Sequence, residues 1–127
     1  MPNILIIDDQ KWVIDLCREV LAGEGHKVVA MDYTASVRKN IFSFKADLVL
    51  LNLYLKHGFD VWDVLRDIKI QDPDLPVLIF TAHDKYLFDS RLSQADGYVI
   101  KGHSVCDELK QKMLALINAH KKISKRS

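Results

Sequence analysis

Ile4-Leu5-Ile6-Ile7-Asp8-Asp9 sets four apolar residues directly against two carboxylates. A strand with one wet face alternates apolar and polar residues. An unbroken aliphatic run, three of its members β-branched, suits a strand covered on both faces, as in a parallel sheet. The same kind of run recurs at 27–31, 48–51, 77–80 and 98–100, giving five expected strands. Helical periodicity fills the gaps. Val13, Leu16, Cys17, Val20 and Leu21 share one face ahead of Gly23 and Gly25, which tolerate a left-handed stop. Val61, Trp62, Leu65 and Ile68 repeat the spacing before Pro73 and Pro76, and Leu109, Met113, Leu116 and Ile117 do so near the end. Ser104 with Asp107 resembles a capping box for that last helix. Weaker periodicity at 34–44 and 84–94 predicts two further helices, the second with Tyr86, Leu87 and Phe88 clustered in its first turn.

Repeated βα units joined by right-handed crossovers build a doubly wound α/β sheet. The expectation is a flavodoxin-like three-layer sandwich: a five-stranded parallel sheet in the order 2-1-3-4-5 with five helices. The 127 residues suffice for one core, taken as residues 1–121, with 122–127 a basic tail or the start of a linker. Lysine and arginine total 18 against 17 acids, so no whole-molecule field gathers nucleic acid or an anionic membrane. No apolar stretch approaches the roughly 20 residues that span a bilayer, and no signal peptide precedes the first strand. A cytoplasmic protein without direct nucleic-acid or membrane contacts is expected. Cys17 and Cys106 form no paired or metal-binding motif and read as reduced thiols outside any mechanism.

Ligands of such sheets bind beyond the carboxyl ends of the strands near the switch point. Those ends carry Asp8 and Asp9, Asn52, Thr81 followed by the small Ala82, and Lys101. Adjacent carboxylates repel, and a hard divalent cation relieves that repulsion best. Taken singly, each residue also reads blandly: an aspartate capping the first helix, a structural threonine, a surface lysine. Taken together they form the set that phosphoryl chemistry uses: charge for a metal, an acceptor position, and stabilising hydroxyl and ammonium groups.

In this order and spacing, Ile4 to Asp9, Asp47-Leu-Val-Leu-Leu-Asn-Leu53, Leu75-Pro-Val-Leu-Ile-Phe-Thr-Ala82 and Ala95-Asp-Gly-Tyr-Val-Ile-Lys101 resemble the receiver domain of bacterial response regulators over nearly the whole chain. The resemblance implies that Asp8, Asp9 and the Tyr54 carbonyl hold magnesium and that Asn52 stands at the phosphoacceptor position. It also implies that Thr81 and Tyr98 are the switch pair and that Lys101 contacts the phosphoryl group. It further implies a two-component (phosphorelay) signalling role. The partners would be a histidine kinase or another signalling protein, and an output domain, with a homodimer formed through the fourth helical segment, the fifth strand and the last helix. Tyr98 with Tyr86, Leu87 and Phe88 would supply an apolar patch there, although the same aromatics also read as ordinary core.

Asn52 departs from that pattern where it matters most. An amide is neutral, its nitrogen lone pair is delocalised, and it is a poor nucleophile towards phosphorus. Gln10 stands where many relatives carry a further acid, so magnesium binding is expected to be weakened. Lys56 and Gly102 occupy positions where the family often has proline, and the stretch from Thr81 to Lys101 is shorter than usual. The expectation is therefore a pseudo-receiver: not an enzyme, unable to form an aspartyl phosphate, acting through protein contacts. One alternative is an ordinary phosphoaccepting receiver that carries an Asp→Asn substitution at position 52. Another is a flavodoxin-like cofactor-binding protein, although Gln10-Lys11-Trp12 lacks the hydroxyls and glycines of a flavin phosphate loop.

Overall fold

A computed structural model describes residues 2–8, 10–21, 25–31, 45–53, 60–82, 88–102 and 105–126. The elements run β1 (Asn3–Ile7), α1 (Lys11–Val20), β2 (Lys27–Met31), β3 (Leu48–Leu51), α2 (Val61–Gln71), β4 (Val77–Thr81), a 3₁₀ helix (Ser90–Gln94), β5 (Gly97–Ile100) and α3 (Val105–Arg126). All strand pairs are parallel, in the order β2-β1-β3-β4-β5. This is the flavodoxin-like arrangement expected from the apolar runs.

Side-chain alternation along each strand divides the core into two layers. Leu5, Ile7, Val49, Leu51, Val77 and Ile79 face α2, where Val61, Val64, Leu65 and Ile68 cover them. Ile4, Ile6, Leu48, Leu50, Leu78, Phe80 and Val99 face α1 and α3, against Val13, Cys17, Leu109, Met113 and Ile117. Every residue of β3 and β4 is buried. Fully burying a Leu or Ile side chain contributes about 1.5–3 kcal/mol, so apolarity on both faces holds the sheet between its helices.

Local signals set the ends. Asp60 caps α2 by accepting from the Trp62 N–H at 2.9 Å. Gly25 lies in the left-handed region, at φ 70°, on the way from α1 to β2. Gly97 opens β5 so close to Leu78 that a Cβ there would fall 2.7 Å from its Cδ1 atom.

Among the described residues there are three α-helices. The second expected helix, 34–44, lies outside them, as do residues 84–87 of the segment 84–94. What is described of that segment is the short 3₁₀ helix, where the periodicity predicted α-helix. Asp89 caps its start, accepting from the Arg91 N–H at 2.9 Å, and Leu92 is the residue that packs inward. A single inward residue anchors one tight turn rather than a long helix. The last helix continues to Arg126, through the stretch read as a tail. No described helix is long and apolar enough to cross a membrane.

Candidate functional site

The carboxyl edges of β1, β3, β4 and β5 bring Asp8, Asn52, Thr81 and Lys101 to one crevice, because the parallel register aligns these ends. Ile7 pairs with Leu51 and Thr81 with Ile100, and the Asn52 N–H donates to the Ile7 carbonyl at 3.1 Å. The Lys101 N–H donates to the Thr81 carbonyl at 2.7 Å, which ties the end of β5 to the end of β4. Asp8, Asn52 and Thr81 are all buried.

Asp8 is the hub. Its Oδ1 accepts from the Gln10 backbone N–H at 2.9 Å and from Asn52 Nδ2 at 3.4 Å. Its Oδ2 accepts from Lys101 Nζ at 3.0 Å, in an ion pair whose side chains are only 6% and 2% exposed. Gln10 occupies the residue before α1, but its side chain does not cap the helix. Instead, Gln10 Oε1 accepts from Lys101 Nζ at 2.8 Å. Two aromatic rings flank the same ammonium: Trp12 at 5.3 Å and Phe80 at 5.4 Å, themselves edge to face. Beneath lies Cys17, fully buried, its thiol pushed from the usual 9.0 up to about 12, chiefly by burial and further by the negative charge of Asp8.

Four residues named from the sequence thus meet in one crevice. Asp9 and Tyr54, the other expected magnesium ligands, lie outside the described residues, as does Lys56. Ala82 is exposed beside Thr81. The Tyr98 side chain is half-buried against the α2-side core, and its carbonyl accepts from Lys112 Nζ at 2.9 Å. Phe88, one of the aromatics that also read as core, is 95% exposed. Sequence reasoning missed the roles of Gln10, Trp12 and Phe80. The available signal was an amide and a large aromatic just past the carboxylates, together with an aromatic immediately before Thr81.

Of the expected magnesium ligands only Asp8 lies among the described residues, and its oxygens are engaged by the chain's own donors. Magnesium needs near-octahedral oxygen ligands, yet both Asp8 oxygens already accept from an ammonium, a peptide N–H and an amide. Asn52 presents a donor to Asp8 rather than a second charge. Among the described residues, no three His, Cys, Asp or Glu side chains gather as a cation cluster.

This crevice on this sheet defines a signalling fold. The chain belongs to the response regulator receiver domain family, whose model matches residues 4–114. It is 29% identical over 110 residues to response regulator SaeR of Staphylococcus aureus, covering 82% of this chain and 46% of SaeR. The chain therefore spans about half the length of that curated relative. Among solved structures, response regulator TrrA of Thermotoga maritima in complex with Mg(2+)-BeF is 31% identical. It superposes with a TM-score of 0.81 over 91% of this chain and 99% of TrrA. TrrA in complex with the histidine kinase ThkA matches with a TM-score of 0.78, at 31% identity over 91% of this chain and 98% of TrrA. Family membership favours a receiver over the flavin-binding alternative.

Proposed function

We propose that this receiver domain works as a pseudo-receiver in two-component signalling, acting through protein contacts and forming no aspartyl phosphate. The carrying observation is Asn52. It is buried at the acceptor position with its amide nitrogen directed at Asp8 Oδ1, where phosphoryl transfer needs a free, charged oxygen nucleophile. Magnesium, where it binds, is held weakly, because the charge that a carboxylate at position 52 would add to those of Asp8 and Asp9 is missing. The chain is not an enzyme on this reading, and it is cytoplasmic.

The test is incubation with acetyl phosphate and magnesium, followed by intact-mass measurement. No adduct is expected on the protein as it stands, and a stoichiometric phosphoryl adduct would sink the proposal. The variant Asn52→Asp decides between this reading and that of an ordinary receiver bearing an Asp→Asn substitution. On the pseudo-receiver reading the variant also stays unmodified, because the other departures from the family pattern, Gln10, Lys56 and the short stretch from Thr81 to Lys101, remain. An adduct that appears only in the variant would favour the ordinary receiver.

The relatives support a partner class. TrrA is seen with a histidine kinase, and SaeR extends over twice the length matched here, which supports a kinase or another signalling protein and an output domain as partners. Phe88 and the 39% exposed Ile100 supply apolar surface for a homodimer through the β5 side, with no direct contact to nucleic acid. Light scattering behind size exclusion reads this directly; a monomer at every concentration would remove the dimer.

A further inference from the structure

A carboxylate at the mouth of a parallel sheet attracts a cation, and in this crevice the chain supplies one of its own. Lys101 Nζ has three protons to donate. One goes to Asp8 Oδ2 at 3.0 Å and one to Gln10 Oε1 at 2.8 Å. The ammonium also lies against the faces of Trp12 and Phe80. The residue at position 10 does two things at once. Its backbone N–H takes Asp8 Oδ1, and its side-chain oxygen takes the lysine that holds Oδ2. Both oxygens of the carboxylate are thereby bound to groups organised by one residue. Being neutral, the amide orients the ammonium without adding charge that would draw in a second cation.

We infer that Gln10 and Trp12 hold Lys101 as a resident cation on Asp8, so that a divalent metal enters the crevice only by displacing the lysine, and that Gln10 decides between the two. Trp12, 47% exposed, is the outer wall over the ammonium and moves when the lysine leaves. This deepens the pseudo-receiver reading and rests on it: a crevice closed by its own lysine has no need of a metal for charge balance.

The experiment uses the whole chain with magnesium chloride alone. The protein has two tryptophans. A Trp62→Phe background leaves Trp12 as the reporter, and calorimetry measures affinity in parallel. Removing one hydrogen bond to a charged group weakens the lysine's hold. Gln10→Ala is therefore expected to bind magnesium about tenfold more tightly than its parent, with a matching change in Trp12 emission. Gln10→Met keeps the side-chain length, deletes the acceptor and should behave alike, which guards against a reshaped start of α1. Equal magnesium affinity in parent and both variants overturns the inference, as does tight binding that leaves Trp12 emission unchanged. A phosphoryl adduct on the parent protein would overturn the reading of Asn52 and leave the Gln10 result standing. Equal affinities with no adduct would overturn the Gln10 inference alone.

Discussion

The two ends of the sheet carry the same pair of residue types in opposite roles. At the amino edge, Asp96 stands just before β5. Its Oδ2 accepts from the Val77 N–H at 2.8 Å and from Lys69 Nζ at 2.6 Å, while Lys69 also donates to the Leu75 carbonyl at 2.8 Å. Before β3, Asp47 accepts from the Asn3 N–H at 2.8 Å, with His120 Nδ1 of α3 at 3.2 Å. Each of these aspartates takes the first N–H of the neighbouring strand, and Asp96 also ties α2 to the sheet through Lys69. At the carboxyl edge, Asp8 meets the Lys101 ammonium, the Asn52 side-chain amide and the Gln10 N–H of the loop into α1, closes no strand ladder, and is far more deeply buried than Asp96. Strands that start together present N–H groups needing acceptors, so an aspartate there is a staple. Where the strands end, the same residue is left to side-chain chemistry.

The contrast can be broken by stability measurements. Asp96→Ala strands a backbone donor and frees a lysine, and should cost about 2 kcal/mol in urea unfolding. A cost within error of zero would remove the staple from the account. Cys17, under the crevice, gives the next effect. Its pKa is raised in the folded state from 9.0 to about 12, so the unfolded chain loses the thiol proton first as pH rises. Its contribution is full below the unfolded value and is lost as pH climbs towards the folded one. Stability should therefore fall between these values by roughly 1 kcal/mol at about pH 10, more steeply than in Cys17→Ala. Parallel pH profiles for the two proteins would refute the link to burial beside Asp8.

The smallest effect sharpens the comparison. Lys101→Met combined with Asp8→Asn removes both charges of the pair together, sets an apolar chain between Trp12 and Phe80, and keeps a side-chain oxygen at position 8 for the Gln10 N–H. The double variant should cost under about 1 kcal/mol, since a buried ion pair replaced as a whole is often nearly neutral to lose, whereas losing the lysine alone would strand the Asp8 charge. A loss as large as that for Asp96→Ala would mean the crevice pair also staples the fold.

Most of the architecture was legible in the chain. The runs at 4–7, 27–31, 48–51, 77–80 and 98–100 fall on the five strands almost to the residue, because burial on both faces leaves an unbroken apolar signature. α1, α2 and the start of α3 carried a clear helical period. Within the stretch 84–94, the described part differs from the expected α-helix, because spacing alone does not separate an α-helix from a 3₁₀ turn anchored by Leu92. Asp8, Asn52, Thr81 and Lys101 could be named because each ends a strand, and strand ends are visible in a sequence.

Amino-acid order therefore determined the strands, their parallel class, the residues at the crevice and the amide at the acceptor position, since these depend on local composition and period. Only the folded sheet decided which groups those residues touch. Lys101 reaches Asp8 and Gln10 from a strand end more than ninety positions away, and Lys69 meets Asp96 across 27. Hydrogen bonds of short range between groups so distant in the chain exist only once the register has brought the strand ends together.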